Sequence, residues 1–81
     1  MFLIGKSERL THDERLRLVG ELINSLPEMQ RTVIQLRDIE GKSYQEVAAI
    51  TGLTEANVKV TLFRARQRIR KDYEKIENYG L

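Results

Sequence analysis

Six cations crowd one short stretch of this chain: Lys59, Arg64, Arg66, Arg68, Arg70 and Lys71 stand against only Glu55 and Asp72 between residues 55 and 72. That is a local charge of +4, whereas residues 1–54 carry seven cations and eight acids. The net charge of +2 therefore conceals a concentrated basic segment. Clustered cations of this kind neutralise phosphates. A solvated helix face is the ordinary meaning of a charge run, but such faces mix their signs. Here five of the eight residues from 64 to 71 are cationic and none is acidic, so few i,i+4 partners exist to balance them.

Two helices and a turn must position these groups. Ser43 with Glu46 three residues on is a capping box, in which each residue satisfies a backbone amide of the other. Thr54 can cap a following helix by accepting from the amide of Ala56 or Asn57. Between these starts, Ala48 is small enough for a close helix crossing, Gly52 can take the positive φ that ends a helix, and Leu53 fills the corner. A short helix, a three-residue turn and a longer helix over residues 43–71 make a helix-turn-helix, a unit that places its second helix in a DNA groove.

That second helix has two faces when advanced by about 100° per residue. Val58, Leu62, Ala65, Ile69, Tyr73 and Ile76 share an apolar stripe. Asn57, Val60, Arg64, Gln67, Arg68 and Lys71 fall roughly opposite, with Lys59, Arg66 and Arg70 as a flanking row. One side belongs to a core and the other is free for a polyanion.

Upstream, Leu16, Val19, Leu22, Ile23 and Leu26 recur at helical spacing, which predicts a first helix over 13–25 with Asp13 and Glu14 at its positive end. Pro27 suits a first helical turn, and a second helix is expected from there to Ile39, ended by Gly41. Its buried side would comprise Met29, Val33, Leu36 and either Ile39 or Ile34, with Glu28, Arg31, Arg37 and Asp38 outward. No strand signal appears. Eighty-one residues suffice for one small all-helical domain, expected over 11–81 with 1–10 as a tail or linker. Without cysteine there are no disulfides or thiolate metal sites, and a reducing cytoplasm is compatible. The apolar start, Met1 to Gly5, is far shorter than a membrane span, so no insertion is expected. His12 is the sole histidine, no nucleophile has a base, and no glycine-rich phosphate loop occurs; neither an enzyme, a metal nor a cofactor is expected.

Residues 26–70 resemble region 4, the C-terminal domain, of bacterial RNA polymerase sigma factors of the extracytoplasmic-function (ECF) type. The resemblance rests on Leu26-Pro27-Glu28 with Arg31, on Glu40-Gly41-Lys42-Ser43-Tyr44-Gln45-Glu46-Val47-Ala48, and on Val58-Lys59 leading to Phe63-Arg64-Ala65-Arg66. It implies an all-α, four-helix domain with a C-terminal helix-turn-helix of the winged-helix-like, sigma region 4 type. It further implies binding to the −35 element of double-stranded promoter DNA, docking on the β-subunit flap of RNA polymerase core, and control by an anti-sigma factor.

The positions matching the family's DNA-contacting set are Thr54, Ala56, Asn57, Lys59, Val60, Phe63 and Arg64. Asn57 can both donate to and accept from a base, Lys59 and Arg64 suit phosphate or guanine, and Ala56 and Val60 suit a thymine methyl. Phe63 is divided between the DNA and the core edge. Arg66, Arg68, Arg70 and Lys71 read as phosphate clamps, with Arg66 equally suited to an intraprotein acid such as Glu46. The chain departs from the pattern at Ala56-Asn57, where many members have Gly-Thr, and at Thr61, where they have arginine. These changes bear on base preference and on one phosphate contact. Two alternatives share the scaffold: the output domain of a response regulator, and a module that chiefly binds a protein partner through surplus apolar residues such as Leu18, Leu22, Val33 and Ile34. A whole sigma factor also needs a domain that melts the −10 region, so this chain is expected to be a fragment.

Overall fold

The computed structural model describes residues 10–79, with side chains to residue 76. It contains α1 (His12–Asn24), α2 (Glu28–Ile34) running into a π-helical turn (Gln35–Ile39), α3 (Tyr44–Thr51) and α4 (Glu55–Tyr79). No strand, and hence no wing, occurs among the described residues. The expected tail at 1–10 lies almost wholly outside them.

Local chemistry starts each helix. Thr11 and Glu14 form a capping box on α1, with Glu14 N–H donating to Thr11 Oγ1 at 3.1 Å and Thr11 N–H to Glu14 Oε1 at 2.9 Å. Pro27 is the cap of α2 rather than its first residue: its ψ of 149° is extended, while its carbonyl accepts from Arg31 N–H at 2.9 Å. The helix therefore begins at Glu28.

α4 packs against all three other helices and is the spine of the domain. Val58, Leu62 and Ala65 from α4 meet Val47 from α3, Val33 and Ile34 from α2, and Ile23 and Leu26 from the α1 end, all buried. Burying each large apolar side chain contributes roughly 1.5–3 kcal/mol. Val19, Leu36, Tyr44, Ala48, Leu53 and Ile69 close the margins. The core is small but continuous, and it fixes which side of α4 faces out.

Two expected core residues, Leu16 and Met29, lie outside it, and of the alternatives Ile39 and Ile34 the second joins it. Leu16 is 58% exposed, Met29 42% and Ile39 57%, while Ile34 is buried. Leu16 on α1 and Met29 on α2 stand exposed, outside the buried cluster. Ile39 is displaced by the π turn, in which Glu40 N–H reaches five residues back to Gln35 O at 3.0 Å. The wider turn slips the 3.6-residue phase, so Ile39 moves outward and its neighbour Asp38 faces α4. Gly41 follows at φ 75°, as a chain reversal there requires.

Candidate nucleic-acid interface

The turn that presents α4 is held by side chains at both ends. Glu46 N–H donates to Ser43 Oγ at 3.0 Å, and Ser43 N–H donates to Glu46 Oε1 at 2.8 Å. The backbone bond from Ser43, followed by its hydroxyl, holds the Glu46 carboxyl below the usual carboxylate range. At the other end of α3, Gly52 takes φ 81° and its N–H donates to Ala48 O at 2.8 Å. Thr51 Oγ1 donates to Val47 O at 2.7 Å and accepts from Leu53 N–H at 3.3 Å. Asn57 N–H then donates to Thr54 Oγ1 at 3.1 Å, so α4 starts where its cap dictates.

Thr54, Ala56, Asn57, Lys59, Val60, Phe63, Arg64, Arg66, Arg68 and Lys71 are all exposed. Phe63 is 62% exposed, which removes it from the core edge. The rotation of α4 divides this set. Ala56, Val60, Phe63, Arg64 and Lys71 lie opposite the buried Val58–Leu62–Ala65 stripe, and Asn57 and Arg68 flank them on one side. Lys59, Arg66 and Arg70 lie on the other flank, toward α2 and α3.

Side chains from distant parts of the sequence meet on that second flank. The Arg37 guanidinium stands 4.4 Å from the centre of the Tyr44 ring, and Lys59 Nζ stands 5.2 Å from it. Arg37 Nη1 also donates to Lys42 O at 2.9 Å, tying the π turn to the start of α3. Arg66 does not meet Glu46, whose carboxylate is occupied by its own cap; it donates from Nε and Nη2 to the two oxygens of Asp38, at 2.9 and 2.6 Å. The bond to Asp38 raises the already high pKa of Arg66, so its charge is permanent. Arg68 pairs within α4 with Asp72 at 3.1 Å. No salt bridge engages Arg64, Arg70 or Lys71 among the described residues.

A sequence search for cation clusters misses Arg37, Asp38 and Tyr44 as parts of this face. They precede α4, which starts at Glu55, on other elements, and no periodic pattern links them to it. A trough of about 420 Å³ runs alongside, floored by Val19, Ile23, Ile34, Ile69 and Tyr73 and edged by Ile39, Asp38, Arg66 and Arg70. It opens on the α1–α2 side of α4, away from Val60 and Arg64. Among the described residues there is no group of three or more potential metal ligands, and no helix is long and apolar enough to cross a membrane.

A capped turn, a buried stripe and an exposed cationic face are common to many helix-turn-helix proteins, and the sequence itself separates them. Residues 16–69 match the family described as Sigma-70, region 4. The chain belongs to that family. It is 43% identical over 67 residues to the ECF RNA polymerase sigma-E factors of Escherichia coli K12 and Salmonella typhimurium LT2, covering 82% of this chain and 35% of theirs. The Haemophilus influenzae protein of the same name is 42% identical over 53 residues, 65% of this chain and 28% of its own length. The chain thus spans about a third of the length of the first two relatives. Membership of the region 4 family sets the response-regulator alternative aside.

Proposed function

We propose that this sigma-70 region 4 domain binds the −35 element of promoter DNA and thereby directs RNA polymerase, as part of an ECF sigma factor. The observation that carries this is the outward face of α4: Val60, Phe63 and Arg64 project opposite a buried stripe, with Asn57 on their flank, behind a turn capped at both ends. A helix entering a major groove does so by its N-terminal turns, so these residues meet base edges. Asn57 is assigned a base contact, Ala56 and Val60 thymine methyls, and Arg64 and Lys59 guanine or phosphate. Thr54 lies at the entry, Phe63 packs beside the groove wall, and Arg66, Arg68 and Lys71 hold the backbone.

Two partners besides promoter DNA follow from this reading. The apolar trough beside α1 suits the flap of the polymerase β subunit, because its floor lies on a different side of α4 from Val60 and Arg64, with Arg66 and Arg70 on the rim between the two. The same surface is available to an anti-sigma factor. Promoter opening falls to another domain, residues 11–81 being the DNA-binding unit and 1–10 its tail or linker. The setting proposed is the cytoplasm, where promoter and polymerase meet.

Titration of a −35 duplex against a scrambled duplex tests the assignment. Arg64→Ala and Lys59→Ala should each weaken binding and reduce the salt dependence by about one counterion. Selection from random duplexes with Asn57→Ala should erase preference at one base position. Failure of any duplex to bind at low salt, together with indifference to both cation substitutions, would sink the proposal.

A further inference from the structure

The ion pair between Asp38 and Arg66 joins α4 to the π turn, and it lies beside the cationic cluster. Asp38 presents both carboxylate oxygens to Arg66 Nε and Nη2 at 2.9 and 2.6 Å. That two-pronged planar geometry is how a guanidinium also takes a phosphate. Resting on the DNA-binding reading, we infer that Asp38 is an internal stand-in for phosphate: it occupies the Arg66 fork, withholds that cation from casual contact with nucleic acid, and so sharpens discrimination between specific and non-specific duplexes.

Position and exposure both support this role. The π turn swings Asp38 toward α4 across 28 residues of sequence, beside the Arg37–Tyr44–Lys59 cluster. The Arg66 and Asp38 side chains are 50% and 33% exposed. A buried pair would be locked by the cost of uncovering either charge, but pairs this open are worth little net and exchange readily. An incoming phosphate must still displace the carboxylate before it gains Arg66. In a loosely held duplex nothing favours that exchange. In a duplex held by base contacts, the phosphate stays beside Arg66 at high effective concentration, and the exchange proceeds. Asp38 therefore acts through Arg66 as a positioning residue.

The experiment measures binding of this chain to a −35 duplex and to a random duplex across a salt series, with melting temperatures recorded for every variant. Asp38→Asn should tighten random-duplex binding about threefold or more at low salt and steepen the logarithmic salt slope by about one. Binding to the −35 duplex should change less, so the specificity ratio falls. Asp38→Glu should keep the original slope. The double change Asp38→Asn with Arg66→Gln should abolish the gain, because the cation released by the first substitution is then absent. An unchanged slope in Asp38→Asn, a gain that survives loss of Arg66, or equal weakening on both duplexes with a lowered melting temperature would overturn the inference. Arg64→Ala separates the two levels: if it weakens binding while Asp38 substitutions do nothing, DNA binding stands and only the role of Asp38 falls. If no variant binds and Arg64→Ala is silent, both fall together.

Discussion

α2 and α3 are neighbours of similar length that both brace α4 and both lead into a glycine at positive φ, yet they are built in opposite ways. α3 is closed by its own residues, with a reciprocal box at Ser43 and Glu46 and a left-handed Gly52. α2 starts at a proline without a side-chain cap and runs into a π turn whose side chains are engaged elsewhere. Arg37 reaches Tyr44 and the Lys42 carbonyl, and Asp38 reaches Arg66. One helix is specified locally and the other by its neighbours. The reading helix is therefore aimed by a rigid local turn and clamped by a joint that depends on the assembled domain.

The shared core should show the largest effect. Leu62, 2% exposed, underlies both regions, and Leu62→Ala should cost about 2–5 kcal/mol in chemical denaturation, unfolding both together. Loss of α3 alone, with α2 still packed, would break the view that one core serves the two. Next come the glycines. A Cβ at Gly41 or Gly52 meets nothing within 4 Å, so alanine at either should cost about 1–2 kcal/mol through backbone conformation alone. A much larger loss at Gly41 would reveal coupling to the π turn that α3 lacks.

Smaller effects sharpen the contrast. Ser43→Ala should destabilise by about 1 kcal/mol and leave the π turn untouched, as read by amide exchange. Because Glu46 has a lowered pKa in the fold, its contribution is present above its ordinary value of 4.5 and is lost as pH falls through the lower folded value. Melting curves from pH 6 downward should thus show an acid-sensitive component that Glu46→Gln flattens. Smallest of all, Asp72→Ala removes an exposed pair within α4 and should change stability by about 0.3–0.5 kcal/mol or less.

What was legible in the sequence follows the same division. The capping box, Gly52, Thr54 and the apolar stripe of α4 stand where their spacing predicted, since each signal acts within a few residues. The exposed cations of α4 followed from that stripe, because the core side of a regular helix fixes its outer side. Leu16 and Met29 have helical spacing for a core yet stand exposed, Ile34 and not Ile39 is the buried member of that pair, and the acid that Arg66 meets is Asp38 rather than Glu46. Periodicity reports that a residue could be buried but not whether another element reaches it. The π turn broke even the periodicity, and nothing in Gln35-Leu36-Arg37-Asp38-Ile39 announces it.

By itself the sequence determined the helices, the capped turn and the composition of the outward face, because hydrogen bonds and side-chain phase within one helix are settled at short range. Only the tertiary structure decided which cations on α4 stand free. Lys59 lies against Tyr44 and Arg66 is held by Asp38, while Arg64, Arg70 and Lys71 have no salt bridge among the described residues. Charge pairing across 28 residues depends on the angle and register at which helices pack. That geometry comes from the shared core, and no local pattern encodes it.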